Sequence, residues 1–412
     1  MNAVGVDVSK GKSMVAVRRP LNEIVAKPFE VRHTGSELKH LADYLKSLDG
    51  ETRVIMEHTG RYYEPIAQCL HNMGLYVSAV NPKLIKDSGC GNTLRRVKTD
   101  KADAKKIAKY GLDNWAELRE YTPMDTIRYQ LKTLNRQCGL YTKTKTAMKN
   151  NLIALLDQTY PGVNALFDSP VREDGTQKWV DFAASFWHVD CVRGISLTAF
   201  TEKYRKWCKK HRYNFSGDKA AEVYGKASDQ IAMLPKDALT KLPVKQAIDA
   251  LNAVSATLER LKAEMLELAS KLPEFPVVME MRGVGDSLGP QLMAEIGDVT
   301  RFARRSAITS FAGVDPGADQ SGTHEAKSVS TSKSGPPELR KALFLVMDHL
   351  IQTKPQDDPV YLFMDKKRAE GKPYLVYMTA GANKFLRIYY GRVKEYLAKL
   401  EEPSEPTPET SA

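Results

Sequence analysis

"AVGVDVSKGKSMVAVRRPLNEIVAKPFEVRH", residues 3–33, decides the architecture of the N-terminal region. The runs at 3–9, 13–19 and 23–33 read as strands, because β-branched residues recur between clusters of Gly, Lys, Pro and Asn that suit turns. A short Gly-Lys turn joins the first two, as in a meander. Asp7 interrupts the apolar Val4, Val6 and Val8, and by period two it shares a face with Gly5 and Ser9. A solvent-facing strand would accommodate one isolated aspartate, so the meaning of Asp7 depends on its neighbours. "GVDVSKGKS" also resembles a G-x-x-x-x-G-K-S phosphate loop, but Gly5 and Gly11 are one residue too far apart and a strand-like run follows Lys12.

Outward from this meander, Leu38, Leu41, Leu45 and Leu48 recur at helical spacing and predict a helix over 36–48. "RVIMEH" reads as a buried strand, 63–73 as a helix, "LYVSAVN" as another strand, and a basic helix begins near Thr99. Three strands followed by alternating α and β is the order of a ribonuclease H-like domain. In such a sheet the first and fourth strands are neighbours and the last helix crosses their ends, so Asp7, Glu57, Asp100 and Asp103 are expected to converge. Asp100 and Asp103 stand at i and i+3 on one helix face. Capping by Thr99 and the helix dipole could explain Asp100 alone, but not Asp7 and Glu57. Four gathered acids repel one another unless divalent cations neutralise them, and two Mg²⁺ about 4 Å apart would also clamp the attacking and leaving oxygens of a phosphoryl transfer. The surrounding stretch "RRVKTDKADAKKIAKY", residues 95–110, carries seven lysines and arginines. Arg95, Arg96, Lys98, Lys101 and Lys105 are accordingly candidate phosphate contacts.

The composition agrees with a polyanionic partner. Lys+Arg 61 against Asp+Glu 50 leaves a net charge of +11, which favours nucleic acid over an acidic protein or a small neutral metabolite. Five cysteines without C-x-x-C spacing suggest neither a disulfide framework nor structural zinc, and fit a reducing cytoplasm. No signal-like N-terminus and no run of about 18 apolar residues appears, so neither export nor membrane insertion is expected.

At 412 residues the chain exceeds one ordinary core, and two or three domains are expected. We place a metal-binding α/β domain at 1–115, coiled-coil arms at 116–275 with a helical insert at 161–243, a mostly helical C-terminal domain at 276–395, and a disordered Pro- and Glu-rich tail at 396–412. Ile127, Leu131, Leu134, Cys138 and Tyr141 step by 4 and 3, as do Ala247, Leu251, Val254, Leu258, Leu261, Met265, Leu268 and Leu272. An intramolecular hairpin and an oligomerisation stalk give this same pattern. "MRGVGDSLGPQLMAEIGD", residues 281–298, sets Gly283 and Gly285 in a turn before an amphipathic helix. This resembles a helix-hairpin-helix element, whose backbone N–H groups grip phosphate without reading sequence, although a plain glycine turn gives the same string.

In this order, "GVDVSK", "MEHTG", "KTDKADAKKIA", "GVGDSLGPQLMAEIGD", "FAGVDPGADQSG", "TSKSGPPELRKAL" and "NKFLRIYY" resemble the DEDD transposases of bridge-RNA-guided insertion sequences, relatives of the pilin-gene invertases. The resemblance spans most of residues 1–395 and is weakest over 161–243. It implies a RuvC-like metal domain holding Mg²⁺ on Asp7, Glu57, Asp100 and Asp103, and a C-terminal domain supplying Ser321 of "QSG" as nucleophile. Ser328, Ser330, Ser332 and Ser334 lie in the same region. The chain reads "SGTHEAK" where the family more commonly has "SGK", which sets His324 near the nucleophile as a candidate base. Lys327, Lys333 and Arg340 are candidate DNA-phosphate or RNA contacts. The implied function is an RNA-guided DNA recombinase of a bacterial mobile element, acting in the cytoplasm at the nucleoid. It would join double-stranded donor and target DNA as a homo-oligomer, a dimer or tetramer, under the direction of a structured non-coding bridge RNA. Two other readings fit the residues taken alone: a junction-resolving nuclease in which water attacks, and a non-enzymatic nucleic-acid scaffold.

Overall fold

Alternation along β1 (Asn2–Val8) gives the strand two working faces. Val4 and Val6 are buried on one side with Leu38, Leu41, Leu45, Ile66 and Leu70, while Ala3 on the other side packs with Ile55, Val80 and Ile107. The computed structural model describes all residues except 59, 61, 89–98, 316–319, 322–323, 326–329 and 402–412. It divides into two units, Met1–Pro123 and Met124–Ala412.

In the first unit β1 pairs antiparallel with β2 (Lys12–Arg18), and β2 pairs antiparallel with β3 (Ile24–Arg32). On its other edge β1 runs parallel to β4 (Thr52–Glu57), which runs parallel to β5 (Tyr76–Val80). The order β3-β2-β1-β4-β5 sets the first and fourth strands side by side, as the ribonuclease H-like reading requires. Helices α1 (Gly35–Lys46) and α2 (Tyr63–Asn72) cover the valine face. A short α3 (Pro82–Ser88), not expected from the pattern, begins at an Asn-Pro pair where the Asn81 Oδ1 accepts from Lys83 N–H at 2.9 Å. The basic helix is α4 (Asp100–Asp113), capped by Thr99, whose hydroxyl accepts from Ala102 N–H at 3.2 Å.

The second unit is mostly helical. Its heptad runs form α5 (Thr126–Leu156) and, beyond α6 (Lys178–Ser185), α7 (Leu197–Lys210) and α8 (Gly217–Asp229), the long α9 (Ala238–Ser270). Cys138 Sγ meets Met265 Sδ at 3.3 Å, Lys145 pairs with Glu259, and Arg128 reaches Glu274, so numbers rise on one arm as they fall on the other. The seam therefore closes antiparallel within one chain, and the hairpin reading of the heptads is the one adopted. Helix α9 starts at Ala238, with Asp237 capping Thr240, ahead of the expected end of the insert at 243. The insert builds its own aromatic core, in which Tyr160, Phe182, Phe200, Tyr204 and Trp207 are buried together with Leu152, Leu156, Val244 and Leu251 of the arms.

A second core joins the opposite ends of the arms to α10 (Phe275–Met279), α11 (Leu288–Ile296), α12 (Arg305–Ala312), α13 (Pro337–Thr353), α14 (Pro359–Ala369) and α15 (Tyr374–Glu401). Helix α15 continues to Glu401, so residues 396–401 of the expected tail are helical, with Tyr396 and Leu397 packed against this core. Residues 402–412 lie outside the described residues. No helix among the described residues is long and apolar enough to cross a membrane.

Charge ties α5 into this C-terminal core. Glu295 of α11 is 2% exposed, and its carboxylate accepts from Asn135 Nδ2 at 2.7 Å and Arg136 Nη2 at 2.8 Å, while Arg136 also pairs with Glu338 of α13. Burial raises the Glu295 carboxyl above its usual range despite the Arg136 charge that opposes the rise. Removing the arginine leaves a buried carboxylate with less compensation. Arg136→Ala should therefore destabilise the chain by about 3 kcal/mol in urea unfolding. Adding Glu295→Gln to that variant should recover part of the loss, whereas a further additive loss would show that the charge was not its origin.

Candidate metal centre and nucleic-acid interface

The site begins with a contact that only glycine permits. A Cβ on Gly5 would collide with the Ala104 carbonyl oxygen and the Ala108 backbone nitrogen of α4, so the helix lies directly on β1. Seven residues beyond Ala104, Gly111 lies over the Ile55 side chain of β4, with its hypothetical Cβ 2.5 Å from the Ile55 Cδ1. These two approaches press α4 against β1 and β4 and fix its position along them.

Parallel register pairs Ala3 with Arg53 and Gly5 with Ile55. Two residues further on, the same register brings Asp7 level with Glu57, on the face that α4 covers. Both side chains are half-buried; on α4, Asp103 is half-buried and Asp100 exposed. The Asp7 carboxyl is pushed up from 3.8 to about 6, by burial first and then by the negative charges of Asp103, Asp100 and Glu57 in that order. Glu57 is also raised, by burial and by Asp103, while Lys106 and His58 oppose the rise. All four sequence-predicted acids thus interact on one side of the sheet.

Among the described residues, no group of three or more His, Cys, Asp and Glu side chains stands close enough together to hold a metal ion. The acids therefore sense one another at the range of repulsion, short of a closed ligand shell. An all-carboxylate oxygen set suits a hard divalent cation such as Mg²⁺, and a cation there would remove the repulsion that lifts Asp7. The donor chemistry fits; Asp7, Glu57, Asp100 and Asp103 are the residues that would hold it. Asp100 and Asp103 also occupy the first turn of α4, where the helix dipole favours negative charge.

Of the basic residues expected to contact phosphate, Lys101 is exposed and Lys105 half-buried on α4, and Arg95, Arg96 and Lys98 lie outside the described residues. Lys106 was missed by the sequence reading. It stands one turn after Asp103 and acts on Glu57, a position that the i, i+3 spacing from Asp103 already contained.

In the second unit, Gly283 has φ +78° and sits against Val346 and Leu350 of α13, a packing role that accounts for this glycine without a ligand. Gly285 is exposed with open space around it. The backbone of Ser321 lies in a short strand, β6 (Gln320–Ser321), paired antiparallel with β7 (His324–Glu325), and Ser321 is the register partner of His324. Lys327 and Ser328 lie outside the described residues, and Ser330, Ser332, Ser334 and Lys333 are exposed. Arg340, expected as a phosphate or RNA contact, has its Nη1 engaged with the backbone, donating to Gly335 O at 2.6 Å and Ala312 O at 3.2 Å. A Cβ on Gly313 or Gly335 would strike the facing backbone, so 311–313 and 333–335 lie against each other. Arg340 braces that junction, through which the segment carrying Ser321 leaves and returns.

Two family models meet this chain. A DEDD model described as a transposase matches residues 4–161, and a model of the transposase IS116/IS110/IS902 family matches residues 276–362. The chain belongs to the IS116/IS110/IS902 family of transposases. The transposase is 22% identical over 333 residues to an uncharacterised 43.6 kDa protein of insertion element IS110 from Streptomyces coelicolor, covering 77% of this chain and 80% of that protein. It is 28% identical over 145 residues to the pilin gene-inverting protein of Moraxella bovis, covering 34% of this chain and 44% of the relative. Among solved structures, T. thermophilus RuvC in complex with a Holliday junction substrate aligns over 29% of the transposase and 99% of its own chain, at 14% identity and a TM-score of 0.24.

The glycine contact and the raised carboxyl can each be tested. Gly5→Val must displace the α4 backbone, and should cost about 3 kcal/mol or more in thermal or urea unfolding; a variant as stable as wild type would show that α4 does not rest on β1. The Asp7 carboxyl binds its proton more tightly folded than unfolded, so its contribution to stability is full below pH 3.8 and is lost as pH rises through about 6. Other carboxylates have the opposite trend, so the readout is the difference between wild type and Asp7→Asn. In metal-free buffer that difference should move against wild type across this window, and Mg²⁺ above pH 7 should raise the melting temperature of wild type more than that of Asp7→Asn.

Proposed function

We propose that this transposase is an RNA-guided DNA recombinase that cuts and rejoins double-stranded donor and target DNA, using Mg²⁺ held by Asp7, Glu57, Asp100 and Asp103 and Ser321 as nucleophile. The observation that carries the reading is the mutual repulsion of four carboxylates on one side of the sheet, in a chain of net charge +11. A structural role gives no reason to gather acids whose charges raise the proton affinity of Asp7 and Glu57, whereas a cation and a phosphodiester do.

When bound, Mg²⁺ would neutralise the acids and stabilise charge on the reacting phosphate. The chain's own residues then have separate tasks. Lys101 and Lys105 flank the acids with positive charge for the DNA backbone. The hydroxyl of Ser321 loses its proton to a base as its oxygen attacks phosphorus in line. The bond from phosphorus to the departing deoxyribose oxygen breaks, that oxygen takes up a proton, and a phosphoserine ester keeps the bond energy for rejoining. His324, the register partner of Ser321, is a titratable candidate to take that proton. A structured bridge RNA would choose the DNA by base pairing, leaving the protein to hold backbones, and a dimer or tetramer would serve the strands of both duplexes.

The test is reconstitution with element-end DNA, target DNA and RNA transcribed from the element's non-coding flank. Ser321→Ala and Asp7→Ala should each lower recombination by about 10³-fold or more, and chelation of Mg²⁺ should do the same. Wild type, but not Ser321→Ala, should leave a covalent protein–DNA adduct after denaturation. Cleavage by Ser321→Ala without any adduct would transfer the chemistry to water, and recombination indifferent to the RNA would remove the guide.

A further inference from the structure

The insert carries a surface that the carboxylate site does not use. Its helix α7 lies within residues 162–275, which neither family model matches. Residues 203–212, "KYRKWCKKHR", hold six lysines and arginines and no acid. Tyr204, Trp207 and Cys208 point into the aromatic core, so Lys203, Lys206, Lys209 and Lys210 are left together on the exposed side. None of these four ammonium groups has an ion pair among the described residues, and the acid on this face of α7, Glu202, pairs with Arg205. On the neighbouring α8, by contrast, Lys219 and Lys226 share Glu222.

The end of α7 adds an independent observation. Arg212 follows the C-cap His211 and has φ +58°, the left-handed position that helix ends normally give to glycine. Its carbonyl is held by Arg172 Nη2 at 3.2 Å, and the following Tyr213 N–H donates to Cys208 O at 2.8 Å. An exposed arginine thus occupies a strained backbone site where it extends the row of cations.

We propose that the outer face of α7, with Lys203, Lys206, Lys209, Lys210 and Arg212, binds the backbone of duplex DNA flanking the reacting sequence. The charge is complementary to a polyanion, and duplex DNA presents about one phosphate charge per 1.7 Å of axis. Single-stranded nucleic acid would call for free aromatic faces on which bases stack. The insert offers none beside this row: Phe200, Tyr204 and Trp207 are buried, Tyr213 is capped by Arg172 at 4.0 Å and Phe215 by Arg205 at 4.6 Å. The face therefore supplies charge without stacking, and it positions the duplex without reading it.

The inference rests on the duplex substrate proposed above. Fluorescence anisotropy of the full chain would be measured against short duplex DNA of random sequence, duplex RNA and single-stranded RNA over a series of salt concentrations. Lys206→Ala with Lys210→Ala should weaken duplex-DNA binding roughly tenfold and shrink the salt slope by about 0.9 for each phosphate no longer neutralised, while Lys226→Ala on α8 should leave both unchanged. Arg212→Gly should leave the melting temperature equal or higher yet weaken the same binding, a separation that a purely structural arginine would not produce. Unchanged duplex-DNA affinity and slope in these variants would overturn the inference alone, as would a loss confined to the RNA probes. A wild-type chain that binds no duplex DNA would overturn it together with the proposed substrate.

Discussion

The arrangement of the first unit depends on backbone resting on backbone. With no side chain at Gly5, the α4 helix comes close enough to β1 that the Ala104 carbonyl and Ala108 nitrogen occupy the space a Cβ would need, while Gly111 lets the helix settle onto the Ile55 side chain. Close packing of this kind fixes more than distance. A helix seated on glycine cannot slide along the strand without driving backbone atoms into Cβ atoms at neighbouring positions, so the axial position of its first turn is set as well. That first turn carries Asp100 and Asp103, and the strand beneath carries Asp7 two residues past the glycine. Steric demand at one residue is therefore converted into electrostatics at four others.

The second unit answers a different requirement. Its antiparallel arms, α5 and α9, bury a heptad seam along their length and are anchored at either end by a separate core. One end is aromatic and belongs to the insert, where T-shaped and stacked rings fill the space between α6, α7 and α8. The other end is mostly aliphatic and tied by ions: Glu274 is 1% exposed and accepts from Arg128 at 2.6 Å, and Glu295 accepts from Asn135 and Arg136. Apolar seams set the pairing of long helices loosely, since 3- and 4-residue steps repeat. Buried ion pairs at one end are sensitive to register, because a shifted arm would leave a carboxylate desolvated and unpaired.

Much of this could be read from the sequence, and what could not has specific causes. The five strands and helices α1, α2 and α4 of the first unit follow from period-two and period-3.6 patterns, and the β1–β4 adjacency follows from their order. The convergence of Asp7, Glu57, Asp100 and Asp103 needed only that adjacency and the crossing helix. Heptads could not distinguish a hairpin from a stalk, since the seam is indifferent to whether its partner comes from the same chain; ties such as Arg128 to Glu274, 146 positions apart, carry no local signature. The backbone bonds of Arg340 had no signal in the sequence, because an arginine in a basic, glycine-rich region looks the same whether its guanidinium meets phosphate or backbone carbonyls. Gly283 was ambiguous for a related reason: a left-handed turn and a tight contact with Leu350 demand glycine as strictly as a phosphate would.

The electrostatic state of the acid cluster has a consequence for how such a site operates. With its carboxyl lifted to about 6, Asp7 holds a proton over part of the pH range in which ordinary aspartates are fully ionised. The cluster is thus at its least favourable when all four groups are charged and nothing positive lies between them, the condition in which a divalent cation is bound with the largest gain. The side chains are not gathered into a closed ligand shell beforehand, so part of that gain must be used in drawing them together. On the proposed reading, the ion would itself assemble the site. In that proposal DNA phosphate oxygens would complete the coordination that carboxylates leave open, so substrate and cation would favour each other's binding. On the proposed reading this linkage protects DNA, since the acids are positioned for phosphoryl transfer when cation and phosphodiester are both present, and are held apart by their own charge when they are not.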